Sequence, residues 1–316
     1  MKTQRNQTDR HQPFYSRRPP GGLLPHSLSS LIFSLLFLLP VCLAPSCVKK
    51  DVPETNPQDE VFVPADSSSF TVRFAIDDNS ADTLRPIKRL DIFAYDADGL
   101  HSLILSRRYG FLPDSLLLYG SITGMTVVAI ANSPVNFNTA ALERYDSIEL
   151  LTYRYEDDSP QAPLMSGQGD AEANGSVVIT LTPMLSRIVL GEVSNELKNY
   201  VRLEDPRISL ESMNASAELL RTSGFHPSET VPEPPVRRLP YDIGVFPQRP
   251  GTELFCFPND SQEATIGTPA TVFTFECEIR GVTRRFSIPL PAIKRNTTTY
   301  VDLTVTEEET LESKVY

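Results

Sequence analysis

The sequence predicts an all-β protein organised in two domains. Short stretches in which apolar and polar residues alternate with period two recur along the chain, each bounded by turn residues. The 27 prolines and the absence of tryptophan suit many short strands and turns better than a helical bundle. Few stretches sustain a 3.6-residue apolar period. If an export segment ending at residue 46 is removed, 316 − 46 = 270 residues remain. That exceeds one typical domain and divides naturally into two of roughly 100–150 residues.

The apolar run Leu31–Leu39 is bounded by Pro40 and leads into Ala44-Pro45-Ser46-Cys47. It is too short for a membrane-spanning helix, which needs about 20 apolar residues, and it reads as a secretory signal. Ahead of it Arg5, Arg10, Arg17 and Arg18 face the single acid Asp9, the charge sense a signal needs. Small residues before a cysteine resemble a bacterial lipobox, in which the thiol receives a lipid and the chain is cut just before it. Cys47 is then the lipidated (palmitate-type) first residue, and residues 1–46 are the signal peptide. Ordinary signal cleavage and an uncleaved anchor are the alternatives; Cys42 fits less well because Val41 precedes it. Beyond residue 46 the chain holds 24 Lys+Arg against 39 Asp+Glu, a net charge of −15. Such a surface repels phosphates, so no nucleic-acid partner is expected.

After Cys47, the Pro-, Asp-, Glu- and Ser-rich residues 47–68 cannot bury enough apolar surface to offset their ordering entropy and read as a flexible tether. The first strand signal is Phe70, Val72, Phe74 and Ile76. The second, Ile87–Tyr95, ends in Asp96-Ala97-Asp98-Gly99 before Leu103-Ile104-Leu105, a hairpin signal. The same Asp-x-Asp-Gly lacks the further ligands of a calcium loop, since His101, Arg107 and Arg108 follow. Leu116–Tyr119 and Met125–Ala131 are further strands, the latter apolar on both faces and therefore central. Residues 136–152 are the best short-helix candidate, with Asn138 as N-cap and Ala140–Arg144 as helix formers.

The glycines of Pro163–Gly169 lack the lysine of a phosphate loop and the spacing of a nucleophile elbow, so a turn bordering a strand is the better account. Ser176–Thr182 and Arg187–Leu190 are strands on either side of Pro183, and the domain boundary falls near Ser186. The second domain has strands at Arg207–Met213, Thr252–Phe257, Thr271–Arg280, Arg284–Pro289 and Thr298–Thr306, with a hairpin turn at Gly281-Val282-Thr283. The proline-dense residues 224–250 read as a surface excursion. Residues 307–316 read as an acidic tail with no evident core. The expected divisions are thus 1–46, 47–68, 69–185, 186–306 and 307–316.

Cys256 and Cys277 lie in strand-like stretches and either pair as a disulfide or remain buried and unpaired. His101 and His226 have no second ligand at a metal spacing. No cofactor motif is present. Without a nucleophile and base in any recognisable pattern, the chain is not read as an enzyme.

The lipobox-like cysteine, LDIFAYDADG, GMTVVAIAN, PLMSG, LTPMLSRIVL, FCFPND and the closing LPAIKRNTTTYVDLTV occur in an order that resembles the fimbrillin-like proteins of Bacteroides-type bacteria. The chain is most similar to their FimB-type minor subunit or anchor family, over about residues 47–306. Its most specific parts are PMLSRIVL and Arg295-Asn296 ahead of Tyr300. The resemblance implies two tandem transthyretin-like (Greek-key) β-sandwiches, an outer-membrane lipid anchor at Cys47, and a surface-exposed role in fimbria assembly and cell adhesion. It also implies donor-strand exchange with other fimbrial subunits, a stalk subunit losing its first strand by cleavage after a basic residue and an anchor keeping it. Arg73 is the basic residue inside that strand. Asp82-Thr83-Leu84, Asp114-Ser115-Leu116 and Asp146-Ser147-Ile148 are similar to the O-glycosylation sequon of such bacteria, with Thr83, Ser115 and Ser147 as acceptors or as plain polar turn residues. The alternative is a surface glycan- or protein-binding lipoprotein outside any fimbria, which would want exposed aromatic platforms.

Overall fold

A computed structural model describes residues 69–77, 86–97, 99–119, 124–262 and 266–316. The strands in chain order are β1 (Ser69–Ile76), β2 (Leu90–Tyr95), β3 (Leu103–Tyr109), β4 (Ser115–Tyr119) and β5 (Thr126–Ala131), followed by the helix α1 (Tyr145–Glu149). Then come β6 (Thr152–Arg154), β7 (Met165–Asp170), β8 (Ser176–Pro183), β9 (Ser186–Asn195), β10 (Glu204–Glu211), β11 (Ser216–Glu218) and β12 (Val236–Arg238). The chain ends in β13 (Glu253–Cys256), β14 (Val272–Ile279), β15 (Val282–Pro289), β16 (Thr298–Val305) and β17 (Leu311–Val315). The fold is all-β and built of sandwiched sheets, as the alternating sequence pattern predicts.

The strands up to Pro183, β6 excepted, form one folded sheet in the order β3-β2-β5-β7-β8-β1-β4. It doubles back at β8, whose first six residues pair with β1 while Thr182 and Pro183 pair with Ser166 and Met165 of β7. The layers β4-β1-β8 and β3-β2-β5-β7 enclose Phe70, Val72, Leu90, Ile92, Val127, Ala129, Val177 and Ile179. The expected central strand is central: β5 lies between β2 and β7, and Val127–Ala131 are all buried. The corner depends on glycine. A Cβ at Gly167 would stand 2.2 Å from the Thr180 carbonyl oxygen, and one at Gly169 would stand 3.0 Å from that of Val178.

From Ser186 the same plan recurs. The layers β13-β9-β16-β17 and β12-β10-β14-β15 enclose Ile188, Leu190, Ile208, Leu210, Phe273, Phe275, Val301 and Leu303. In each half the first strand lies parallel to a late one, β1 beside β8 and β9 beside β16. A third apolar cluster, including Phe93, Ile130, Ile148, Met184, Leu219 and Phe257, draws on both halves, and β6 pairs with β11 across them.

Three sequence expectations are corrected and one left open is settled. Residues 307–316 do not lack a core: β17 pairs antiparallel with β16 from Val301–Val315 to Val305–Leu311, and Leu311 and Val315 pack on the second core. Their period-two spacing was masked by the three preceding glutamates. Of the two alternatives left open for Cys256 and Cys277, the structure has the unpaired one: both are buried free thiols, on strands of opposite layers rather than side by side in one sheet. The 136–152 helix shrinks to a 3-10 turn at Thr139–Leu142, with Asn138 Oδ1 accepting from the Ala140 amide as a cap, and the five-residue α1. Only Leu142 and Ile148 are buried there, too little apolar surface to hold a longer helix. The β14–β15 hairpin turns on Arg280-Gly281, both at positive φ, so Val282 and Thr283 start the strand rather than the turn.

Candidate assembly surface

The first strand occupies a groove that its neighbours define on both sides. Thr71–Ile76 run parallel to Ser176–Leu181 of β8, and Ser69–Arg73 run antiparallel to Ser115–Tyr119 of β4. Alternation sends Phe70 and Val72 into the core and leaves Phe74 and Ile76 partly buried. Complete burial of Phe70 and Val72 contributes roughly 1.5–3 kcal/mol each. Without β1, the inward faces of Leu118, Val177, Ile179 and Leu181 would lose their cover. Arg73 is exposed, yet its backbone lies opposite Ser115 on one side and Val178 on the other. A protease could therefore reach that peptide bond only after β1 leaves the sheet.

Among the described residues, β3, β4, β12, β13, β15 and β17 each pair within their sheet along one side only. Such edges are templates for added strands, and charged residues along them limit unwanted pairing. Here β3 carries Arg107 and Arg108, β15 carries Arg284 and Arg285, and β17 carries Glu312 and Lys314. Between the free edges of β15 and β17 lies a hollow of about 470 Å³. Glu309, in the β16–β17 turn, pairs with both Arg280 and Arg284 and pins one end of this seam.

The closing motif acts at the junction between the halves. Arg295 Nη1 donates to the carbonyls of Leu219 (3.0 Å) and Arg221 (3.2 Å), while Nη2 donates to Ser166 Oγ (2.9 Å) and the Thr182 carbonyl (2.6 Å). Asn296 Nδ2 donates to the Asp77 carbonyl (2.7 Å), at the end of β1. These two residues thus tie the β15–β16 connection to β1, β7, β8 and the segment after β11. Arg295 makes no ion pair among the described residues, and burial pushes its pKa down to about 10, opposed by the field of Asp77.

The residues singled out in the sequence do not converge on one site. Cys47 and Thr83 lie outside the described residues. Ser115 is exposed at the start of the edge strand β4, and Ser147 is exposed on α1. Cys256 and Cys277 are buried in the second core, where desolvation pushes both thiols up to about 12. His101 packs its ring against Tyr145, 6.1 Å between centroids. His226 Nδ1 lies 3.1 Å from Ser261 Oγ, a pairing that hydrolases use, but this hydroxyl is buried and donates to Thr268 Oγ1. Among the described residues no group of three or more His, Cys, Asp or Glu could hold a metal ion. No described helix is long and apolar enough to cross a membrane.

No family model matches the chain, and no curated protein does. Solved structures do. A protein assigned to cell adhesion from Parabacteroides distasonis superposes with a TM-score of 0.54 at 13% identity, covering 78% of this chain and 95% of its own. A second one, from Bacteroides eggerthii, gives 0.54 at 14% identity over 80% and 96%. The fimbrilin FimA of Porphyromonas gingivalis gives 0.53 at 11% identity over 79% and 96%. The chain therefore has the fold of the Porphyromonas gingivalis fimbrilin and of these adhesion-assigned proteins.

Proposed function

We propose that the chain is a fimbrial (pilus) subunit or anchor that takes part in fimbria assembly and cell adhesion and carries out no catalysis. It is held at the outer membrane by lipid on Cys47, with 47–68 as the tether, 69–185 as the first sandwich domain, and a second sandwich domain that starts at 186 and includes β17 beyond residue 306. Its partners are other fimbrial subunits, joined by donor-strand exchange. The observation that carries the reading is the fold shared with a fimbrilin over nearly the whole of that protein's length. The seating of β1 supports the anchor role in particular. This strand is paired on both sides and buries Phe70 and Val72, so an anchor that keeps it has a completed first sandwich. In donor-strand exchange such a strand comes from another subunit, main-chain hydrogen bonds giving affinity and alternating side chains giving register.

The test is metabolic labelling of the native host with a fatty-acid analogue, comparing wild type with Cys47→Ala and separating outer membrane from sheared fimbriae. The expected outcome is labelled wild-type protein in both fractions, and an unlabelled variant released from the membrane. Labelled protein missing from the fimbrial fraction would instead indicate a free-standing surface lipoprotein. An unlabelled wild type would remove the lipid anchor.

A further inference from the structure

Beside the Arg295 clamp the surface sinks into a cavity of about 370 Å³, formed where β7 and β8 part company and the second half of the chain closes over them. That volume lies at the small end of ligand sites, room for about one sugar ring. Its wall carries Gln168 of β7, Thr180 and Thr182 of β8, Thr222, Lys294 and Arg295. Most of their polar groups are uncommitted. The hydroxyls of Thr180, Thr182 and Thr222, the Gln168 side-chain amide nitrogen and the Lys294 ammonium make no hydrogen bond or ion pair among the described residues. Gln168 is nevertheless held in place, because its Oε1 accepts from Tyr145 Oη at 2.7 Å.

The charge of the cavity runs against that of the chain. The whole sequence is net −11, yet among the described residues two cations and no acid line this cavity. The guanidinium of Arg295 is fixed there on neutral acceptors, three carbonyls and one hydroxyl, so its charge is not cancelled at contact distance. A ligand carrying a negative charge gains from both cations, and Lys294 still has donors for a charge-assisted hydrogen bond. The three threonine hydroxyls and the amide match a ligand bearing several hydroxyls of its own. Among the described residues no aromatic ring lines the cavity to stack a neutral sugar face.

We propose that this junction cavity binds the carboxylate-bearing ring of an acidic saccharide, with Lys294 taking the carboxylate and Gln168, Thr180, Thr182 and Thr222 taking ring hydroxyls. A second hollow of about 440 Å³ shares Gln168, Leu220 and Thr222 with the first and extends past Leu150; Glu149, Glu218 and Arg221 line it, so it gives space for a next saccharide unit that is neutral rather than acidic. The site is independent of fimbria assembly: it needs neither the lipid on Cys47 nor an exchanged strand.

Calorimetric titration of the purified full-length chain with sodium glucuronate, glucose and sodium acetate tests this. Glucuronate is expected to bind in the millimolar range or tighter, with glucose and acetate each at least tenfold weaker. Lys294→Ala should weaken glucuronate roughly tenfold, the worth of one hydrogen bond to a charged group, and leave the thermal midpoint unchanged because Lys294 is exposed. Thr180→Val should weaken glucuronate without changing acetate. Acetate binding as well as glucuronate would reduce the cavity to a plain anion site and overturn the proposal. So would glucose binding as well as glucuronate, absent glucuronate binding, or a Lys294→Ala variant that binds like wild type.

Discussion

Burial holds the thiols of Cys256 and Cys277 protonated well above the usual range, and this has a consequence for stability. Both are pushed up to about 12 from an ordinary value of 9.0, while in the unfolded chain they ionise normally. A group whose folded pKa is raised contributes stability that is complete below its unfolded pKa, here 9.0, and is lost as pH climbs from there toward 12. The loss is about 1.4 kcal/mol per pH unit for each thiol. Urea unfolding at pH 8 and pH 10 should show wild type losing more stability than Cys256→Ala, a comparison that separates the thiol from lysines and tyrosines titrating in the same range. Equal losses would mean that the Cys256 thiol is not shielded. Sequence reasoning reached some single residues and missed others for a physical reason. Asn138 was legible as a cap because the bond it makes is two residues away. Arg295 drew attention through a resemblance to a known motif, but its acceptors at Ser166, Thr182, Leu219 and Arg221 are between 74 and 129 positions distant in the chain, and nothing local announces them.

Among the elements, the β7–β8 corner is where composition and geometry meet most tightly. Gly167 passes so close to the Thr180 carbonyl that any side chain must push the strands apart. Gly167→Ala is expected to destabilise by about 1–3 kcal/mol, the usual cost of forced overpacking, and to lower the midpoint in a denaturant titration. An unchanged midpoint would show that the corner can open without cost. The sequence offered Gly167 and Gly169 only as punctuation near a turn. Their role in letting two layers meet depends on β8, whose contacting residues Val178 and Thr180 lie 9 and 13 positions further on. The strands themselves were more legible. β1, β5, β14 and β16 each carry their own alternation or their own continuous apolar run, and the pleat converts that pattern into a buried face. β17 was missed because five residues with two half-buried apolar positions form a strand only when an edge such as β16 is there to receive them.

For the whole molecule, the decisive feature is the cluster shared between the halves. Phe257 from the second half is fully buried in it, with its ring edge-on to Tyr155 at 5.7 Å, and the same cluster holds Phe93, Ile130 and Ile148 from the first. Thermal unfolding is therefore expected as one cooperative transition. Phe257→Ala, at a cost of about 3–5 kcal/mol, should shift that single transition as a unit. Two separate transitions, with only one moved by the substitution, would show that the halves unfold independently. The sequence by itself determined the all-β class, the position and alternation of most strands, and the change of sheet near Pro183–Ser186. Each of those rests on residues within one strand or one turn. Only the tertiary structure decided that the cysteines lie unpaired on opposite layers of the second sandwich, that the tail covers the edge of β16, and that Arg295 joins the halves beside a cationic cavity. These depend on which distant segments are brought together, and pairing across tens of residues is set by the sum of burial and register over the whole chain rather than by any local pattern.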